Sequence, residues 1–198
     1  MRLLATLPGR RERQADSTRA RLFEAAIAEF RRVGFDRANV ARIARKAKVS
    51  RPSFYFHFPT KEHVLLELQW LEERILVVRL ERARSLREAL LELAEGLIES
   101  EVRLGNSELF RDMFSIYARR PTYLPLDEQP FPIVAALVRH FAEAAARGEL
   151  RAGLEAEAAA RVCLASVLGL LIGLPSTPAQ RRADFGLLFS LYLAKDMS

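Results

Sequence analysis

The sequence predicts an all-α protein in two parts, a small basic N-terminal part and a larger C-terminal one. Three observations predict it. Apolar residues recur at three- and four-residue spacing along nearly the whole chain. Nine glycines in 198 residues, about 4.5%, fall below the roughly 7% average and disfavour turn-rich β architecture. No strand-like alternation bounded by hairpin turns is present, nor any internal repeat or low-complexity tract.

Thr18–Val33 places Leu22, Phe23, Ala26, Ile27, Phe30 and Val33 on one stripe. Asp16 or Ser17 is expected to cap its start, and Gly34 suits a left-handed C-terminal cap. A short helix follows, capped by Asn39, with Val40, Ile43, Ala44 and Ala47 inward. Ser50 caps a third, where Pro52 in the first turn removes no intrahelical bond. Lys61–Leu80 is a long helix with the stripe Val64, Leu65, Leu68, Leu71, Ile75 and Val78, and Ser85–Gly105 is another. Ser107–Arg119 is rich in aromatics, and the proline-rich 120–132 reads as a loop. A helix then runs from Phe131 or Pro132 to Gly148. The last two span about Glu155–Leu174 and Ala179–Lys195, parted by Pro175 and Pro178. The expected division is a flexible basic arm over 1–15, a small three-helix domain over 16–61 and a larger domain over 62–198.

Composition excludes several classes. The single cysteine, Cys163, excludes an intramolecular disulfide framework and a Cys-rich zinc site. The longest apolar run, Val162–Leu174, is 13 residues, against roughly 18 for a membrane span. The start, MRLLATLPGRRERQ, has no signal-peptide core, so a cytoplasmic protein with no membrane partner is expected. Residues 1–60 carry 14 Lys and Arg against 5 Asp and Glu; residues 61–198 carry 17 against 20. A net of +9 on the first part and −3 on the rest fits either a polyanion partner for the first part or a solvated basic surface. There is no G-x-S-x-G, H-E-x-x-H or phosphate-binding glycine loop, and His57, His63 and His140 are scattered. No catalytic residue, metal site or cofactor is expected.

Two short helices joined by a tight turn in a basic segment are what a helix-turn-helix reader of DNA needs. In Ser50–Phe58, Arg51 suits a bidentate pair with guanine, and Ser53 and Tyr55 suit phosphate or base. Phe54 and Phe58, four apart, anchor the helix. Phe56 either meets a thymine methyl or covers the helix edge.

Thr18-Arg19, Ala25-Ala26, Phe30, Gly34-Phe35, Val40, Ile43-Ala44, Ala47, Val49-Ser50, Tyr55, His57-Phe58 and Lys61-Glu62 carry a more specific signal. On them, Thr18–Leu68 resembles the N-terminal DNA-binding domain of the TetR family of transcriptional regulators. The resemblance implies a homodimer, most often a repressor, on a palindromic double-stranded operator, released by a small-molecule effector of the C-terminal domain. It implies DNA contacts for Asn39, Arg51, Pro52, Ser53, Tyr55, Phe56, His57 and Lys61. Lys48 stands where the family has a turn glycine; a left-handed lysine costs roughly 1–2 kcal/mol, so either the turn differs slightly or a phosphate contact repays the strain. The arm Arg10–Arg13 reads as a solvated tail or as a minor-groove contact.

In the C-terminal part, Phe110, Met113, Phe114 and Tyr117 form an aromatic stripe, either core or cavity wall, with His140 as a polar group and Trp70 on the helix from Lys61. An apolar or amphipathic effector follows. Arg111, Arg119, Arg120 and Arg147 at a mouth would favour a fatty acid or acyl-coenzyme A. The last two helices, with Ala165, Gly169 and Gly173 admitting close approach, are expected to form the dimer interface, on the order of 2,000 Å². The alternatives are a DNA-binding scaffold of the same fold without an inducer and, distantly, an enzyme.

Overall fold

The computed structural model describes residues 10–105, 107–119, 132–173 and 176–194; the expected loop over 120–131 lies outside them. The described residues form nine helices: α1 (Arg10–Val33), α2 (Val40–Lys46), α3 (Arg51–His57), α4 (Lys61–Arg82), α5 (Leu86–Leu104), α6 (Ser107–Arg119), α7 (Pro132–Ala146), α8 (Ala156–Gly173) and α9 (Pro178–Ser190). The protein is all-α. The chain divides between Leu66 and Glu67 into two compact units.

In the first unit α1 begins at Arg10, so residues 10–15 are helical rather than part of a flexible arm, and Asp16 and Ser17 lie inside the helix instead of capping it. Helix α1 buries Leu22, Ala25, Ala26, Ile27 and Phe30, and Gly34 follows it at φ 80°, its N–H donating to the Phe30 carbonyl at 2.8 Å. Asn39 Oδ1 accepts from the N–H groups of Ala41 and Arg42 at 2.8 and 3.3 Å, as its position before the Val40 stripe predicts. Ile43, Ala44 and Ala47 turn inward. Ser50 Oγ accepts from the Ser53 N–H at 3.3 Å, and Pro52 sits in the first turn of α3. Phe54 and Phe58 are fully buried, their rings 5.8 Å apart.

In the second unit α5 is capped at both ends, Ser85 accepting from the Glu88 N–H at 3.1 Å and Gly105 lying at φ 65°. Two departures stand out. On α4 the apolar residues Leu71, Ile75 and Val78 are exposed, whereas Gln69, Glu73, Leu76 and Leu80, at i, i+4, i+7 and i+11, are buried. The inward stripe is therefore partly polar. Helix α9 ends at Ser190 instead of Lys195, because the chain beyond it pairs with the segment after α7. There the Arg151 N–H donates to Tyr192 O at 2.8 Å and the Ala194 N–H to Glu149 O at 2.9 Å, bridging Leu150 to Leu193. Burial of Tyr192 and Leu193, with Tyr192 edge-on to Phe141 at 5.4 Å, offsets the helical bonds given up. Helix α8 is, among the described residues, the one helix long and apolar enough to cross a bilayer; its 18-residue window has mean hydropathy 1.7 and is 28% buried. The 13-residue estimate was shorter because it stopped at Arg161, whose neighbours towards Ala156 are mostly alanine.

Candidate functional site

The first unit presents one strongly basic surface. Arg42, Arg45, Lys46 and Lys48 on α2 and its turn, and Arg51 on α3, are all exposed. The turn between α2 and α3 is built by backbone geometry. Lys48 takes φ 58°, its N–H donates to Arg45 O at 3.1 Å, and the Val49 N–H reaches back to Ala44 O at 3.0 Å. That pair of bonds is the Schellman closure of a helix, with lysine in the position glycine normally takes. The turn thus keeps the left-handed conformation with lysine in place of glycine, and the Lys48 side chain is exposed.

On α3, buried Phe54 and Phe58 fix which face looks out. Arg51 Nη2 lies 3.4 Å from Tyr55 Oη, and its guanidinium sits 5.7 Å from the Tyr55 ring centre. Tyr55 is exposed and Phe56 is 81% exposed, far more than a ring held there by packing. Arg51 and Pro52 are exposed, and Ser53 and His57 half-buried. The His57 carbonyl accepts from Arg19 Nη1 at 2.5 Å, and burial, followed by the Arg19 charge, lowers the pKa of its imidazole, which favours the neutral ring at pH 7.

Asn39 is exposed at the start of α2, where its side chain is committed to capping. Lys61 turns back on its own unit: Nζ donates to the carbonyls of Phe35, Asp36 and Ala38 at 2.8, 3.1 and 3.3 Å. These three bonds hold the α1–α2 turn. Glu29 was not legible as part of this site. It is buried on α1, bound to Arg32 at 2.9 and 3.0 Å and 3.6 Å from Arg42 of α2. The hydrogen bond from Arg32 holds its carboxyl below the usual range against the opposing effect of burial. Its spacing from Arg32 was the available signal, but that pattern is also common on solvated helices.

The second unit holds a cavity of about 270 Å³. Leu76, Leu97, Phe114, Ile133, Leu164 and Leu168 wall it, and Gln69, Glu72, Glu73 and Ser100 supply its polar groups. Among the described residues expected around a ligand, Phe114 alone lines it. Phe110 and Met113 are fully buried in packing away from it, and Trp70, 38% exposed, is not among its lining residues. His140 is buried with Nε2 2.8 Å from the Leu80 carbonyl, also off the cavity. The Tyr117 side chain lies outside the described residues. Of the expected arginines, Arg147 pairs with Glu149 at 2.7 Å and Arg111 is exposed, neither lining the cavity; Arg120 and the side chain of Arg119 lie outside the described residues. Among the described residues no group of three or more His, Cys, Asp or Glu is placed to hold a metal. Cys163 is buried, its thiol pushed up to about 12 by burial.

Residues 22–68 match the family model described as bacterial regulatory proteins, tetR family. The N-terminal unit is a tetR-family domain. It is 45% identical over 51 residues to the uncharacterized HTH-type transcriptional regulator YdgC of Bacillus subtilis, covering 26% of each chain. It is 36% identical over 64 residues to an HTH-type transcriptional repressor of Streptomyces coelicolor, covering 32% of each. The chain thus matches less than a third of the length of these curated relatives. Over its whole length the fold is similar to SmeT, the repressor of the SmeDEF multidrug efflux pump of Stenotrophomonas maltophilia. That likeness has TM-score 0.65 at 23% identity, over 92% of this chain and 95% of that one. A SmeT–triclosan complex is similar with TM-score 0.61 at 23% identity, over 92% and 94%. The tetR-family domain thus covers the α2–α3 surface, and the cavity lies in the part that shares only the fold.

Proposed function

We propose that the protein is a one-component transcriptional repressor that binds a palindromic operator as a homodimer and is released by a small apolar or amphipathic effector. The observation that carries the DNA reading is the outer face of α3. Arg51, Tyr55 and an 81% exposed Phe56 stand on a helix anchored by two buried phenylalanines, beside the cations of α2. Burial in the protomer gives Phe56 no reason to be phenylalanine, whereas a thymine methyl does. Asn39, Lys48, Pro52, Ser53 and His57 surround this face, and Lys61 acts by holding the turn that carries Asn39.

The cavity in the second unit favours an inducible regulator over a scaffold of the same fold, and the name of the SmeT–triclosan complex gives a small-molecule precedent for that fold. Helix α8, apolar yet mostly uncovered, supports association of two copies. Selection of bound sequences from a random duplex pool tests the reading directly, and a two-fold symmetric consensus is the expected result. Arg51→Ala relaxes preference at particular base pairs, and Phe56→Ala lowers operator affinity while leaving random-duplex affinity in place. Recovery of no consensus, or wild-type operator binding by both variants, overturns it.

A further inference from the structure

We propose that the cavity binds a lipophilic cation carrying N–H donors, an alkyl ammonium, with its head against Glu73, Gln69 and Ser100. The inference deepens the effector reading above and rests on it only for the link to DNA.

The polar groups of the cavity are gathered by helix geometry. Gln69, Glu72 and Glu73 lie at i, i+3 and i+4 on α4 and so share a face. Arg103 of α5, one turn from Ser100, reaches Glu72 at 2.5 Å and sets Ser100 at that level. The Arg103 guanidinium matches the charge of Glu72. Glu73 has no such partner among the described residues; its one hydrogen bond there is from the Ile133 N–H in the first turn of α7, at 3.0 Å. Burial pushes its carboxyl up from the usual range, as expected of a buried acid without a counter-ion.

Gln69 and Ser100 are each more than nine-tenths buried, and Gln69 Oε1 and Ser100 Oγ have no hydrogen-bond partner among the described residues. Buried acceptors without donors are costly, and so is a buried charge without a partner. An ammonium supplies both the N–H donors and the positive charge, while its chain fills the space between Leu76, Leu97, Phe114 and Leu168. A fatty acid would do the reverse, placing a second carboxylate beside Glu73 with no donor to offer. The cavity's chemistry therefore opposes the anionic effector that the surface arginines suggested.

Octylammonium, octanol and octanoate share a chain and differ only in the head, so calorimetric titration of each into the full-length protein at neutral pH isolates the head group. The expected order is octylammonium tightest, by at least about tenfold over octanol, and octanoate weakest. Glu73→Gln, whose amide oxygen still accepts from Ile133, brings octylammonium down to octanol. Gln69→Leu weakens octylammonium while leaving the α7 contact untouched, and decides alone if Glu73→Gln fails to fold. The proposal is overturned if octanoate binds as tightly as octylammonium, if none of the three binds, or if both variants keep the wild-type preference for the cation. Fluorescence anisotropy of labelled operator is read in the same titrations. Cation preference without release of DNA supports the site and overturns its role as the effector site.

Discussion

The Lys61 ammonium donates to the Phe35 carbonyl at 2.8 Å while standing 4.8 Å from the centre of the same residue's ring. With the carbonyls of Asp36 and Ala38, this uses all three of its N–H donors within the protein. A lysine so placed shapes the turn before Asn39 more than it neutralises a phosphate. Lys61→Ala is therefore expected to lower the melting temperature and weaken binding to every duplex, with the salt dependence unchanged. Affinity measured across a salt series checks this. A slope shallower by about 0.9, the loss of one neutralised phosphate, would return Lys61 to direct contact.

Lys48 offers the opposite pattern. Its φ of 58° is strained for any residue but glycine, and its exposed side chain is free to reach a phosphate. Lys48→Gly removes strain of roughly 1–2 kcal/mol, partly offset by the greater backbone freedom of glycine when unfolded. The expected gain is about 1 kcal/mol, a rise of roughly 2–4 °C in Tm for a chain of this size. Operator affinity should fall together with the salt slope. A variant that melts lower, or binds as tightly as the wild type, would show that the lysine is not tolerated for DNA's sake.

Glu29 ties α1 to α2 and makes the domain sensitive to acid. The Arg32 guanidinium lowers its folded pKa, with further help from Arg42 and the Asn39 N–H. A depressed carboxylate contributes stability above its unfolded pKa of about 4.3, and that contribution disappears as pH falls through the lower folded value. Glu29→Gln should therefore melt below the wild type at neutral pH, with the difference shrinking as pH drops below about 4. Thermal melts of both proteins over that range decide it. Parallel curves would mean that the pairing adds nothing to folding.

Wherever the chemistry was local, the sequence carried it. Asn39 and Ser50 cap because side-chain acceptors one residue before an apolar stripe find unpaired N–H groups. Phe54 and Phe58 are buried because they share a helix face. At the α2–α3 turn the family resemblance marked a glycine position without settling its conformation, and Lys48 closes it left-handed without a glycine. The cavity was not legible, since its wall draws on five helices far apart in the chain, and the aromatic stripe of α6 gave only Phe114 to it. On α4 an apolar stripe and a partly polar one competed. Burial went to Gln69, Glu73, Leu76 and Leu80, which an apolar count ranks second. Glu72-Glu73 within an apolar helix was the clue available.

The α8 and α9 surfaces carry the last prediction. Val162 of α8 is 57% exposed, and Leu187 and Leu191 of α9 are 70% and 49% exposed. On α8, Ala159, Ala160, Cys163, Val167 and Leu171 are buried in their own unit, and Leu168 and Ile172 line the cavity. Facing out on α8 are Val162 and the small residues Ala158, Ala165, Gly169 and Gly173, with Glu157 and Arg161 among them in its first half. A Cβ added at Gly169 or Gly173 would meet nothing within 4 Å in the protomer. Small residues on an uncovered apolar face allow a second helix to come close, which two-fold pairing of a four-helix bundle requires. Gly169→Phe starts from a Cβ that meets nothing within 4 Å in the protomer, and it also exchanges a poor helix former for a better one; Leu187→Glu puts a charge where a partner's apolar surface would lie. Both variants should keep the wild-type helical circular dichroism, scatter light as monomers at micromolar concentration where the wild type is a dimer, and lose operator affinity. A monomeric wild type would remove the dimer altogether, and dimeric variants would move the interface off these two helices.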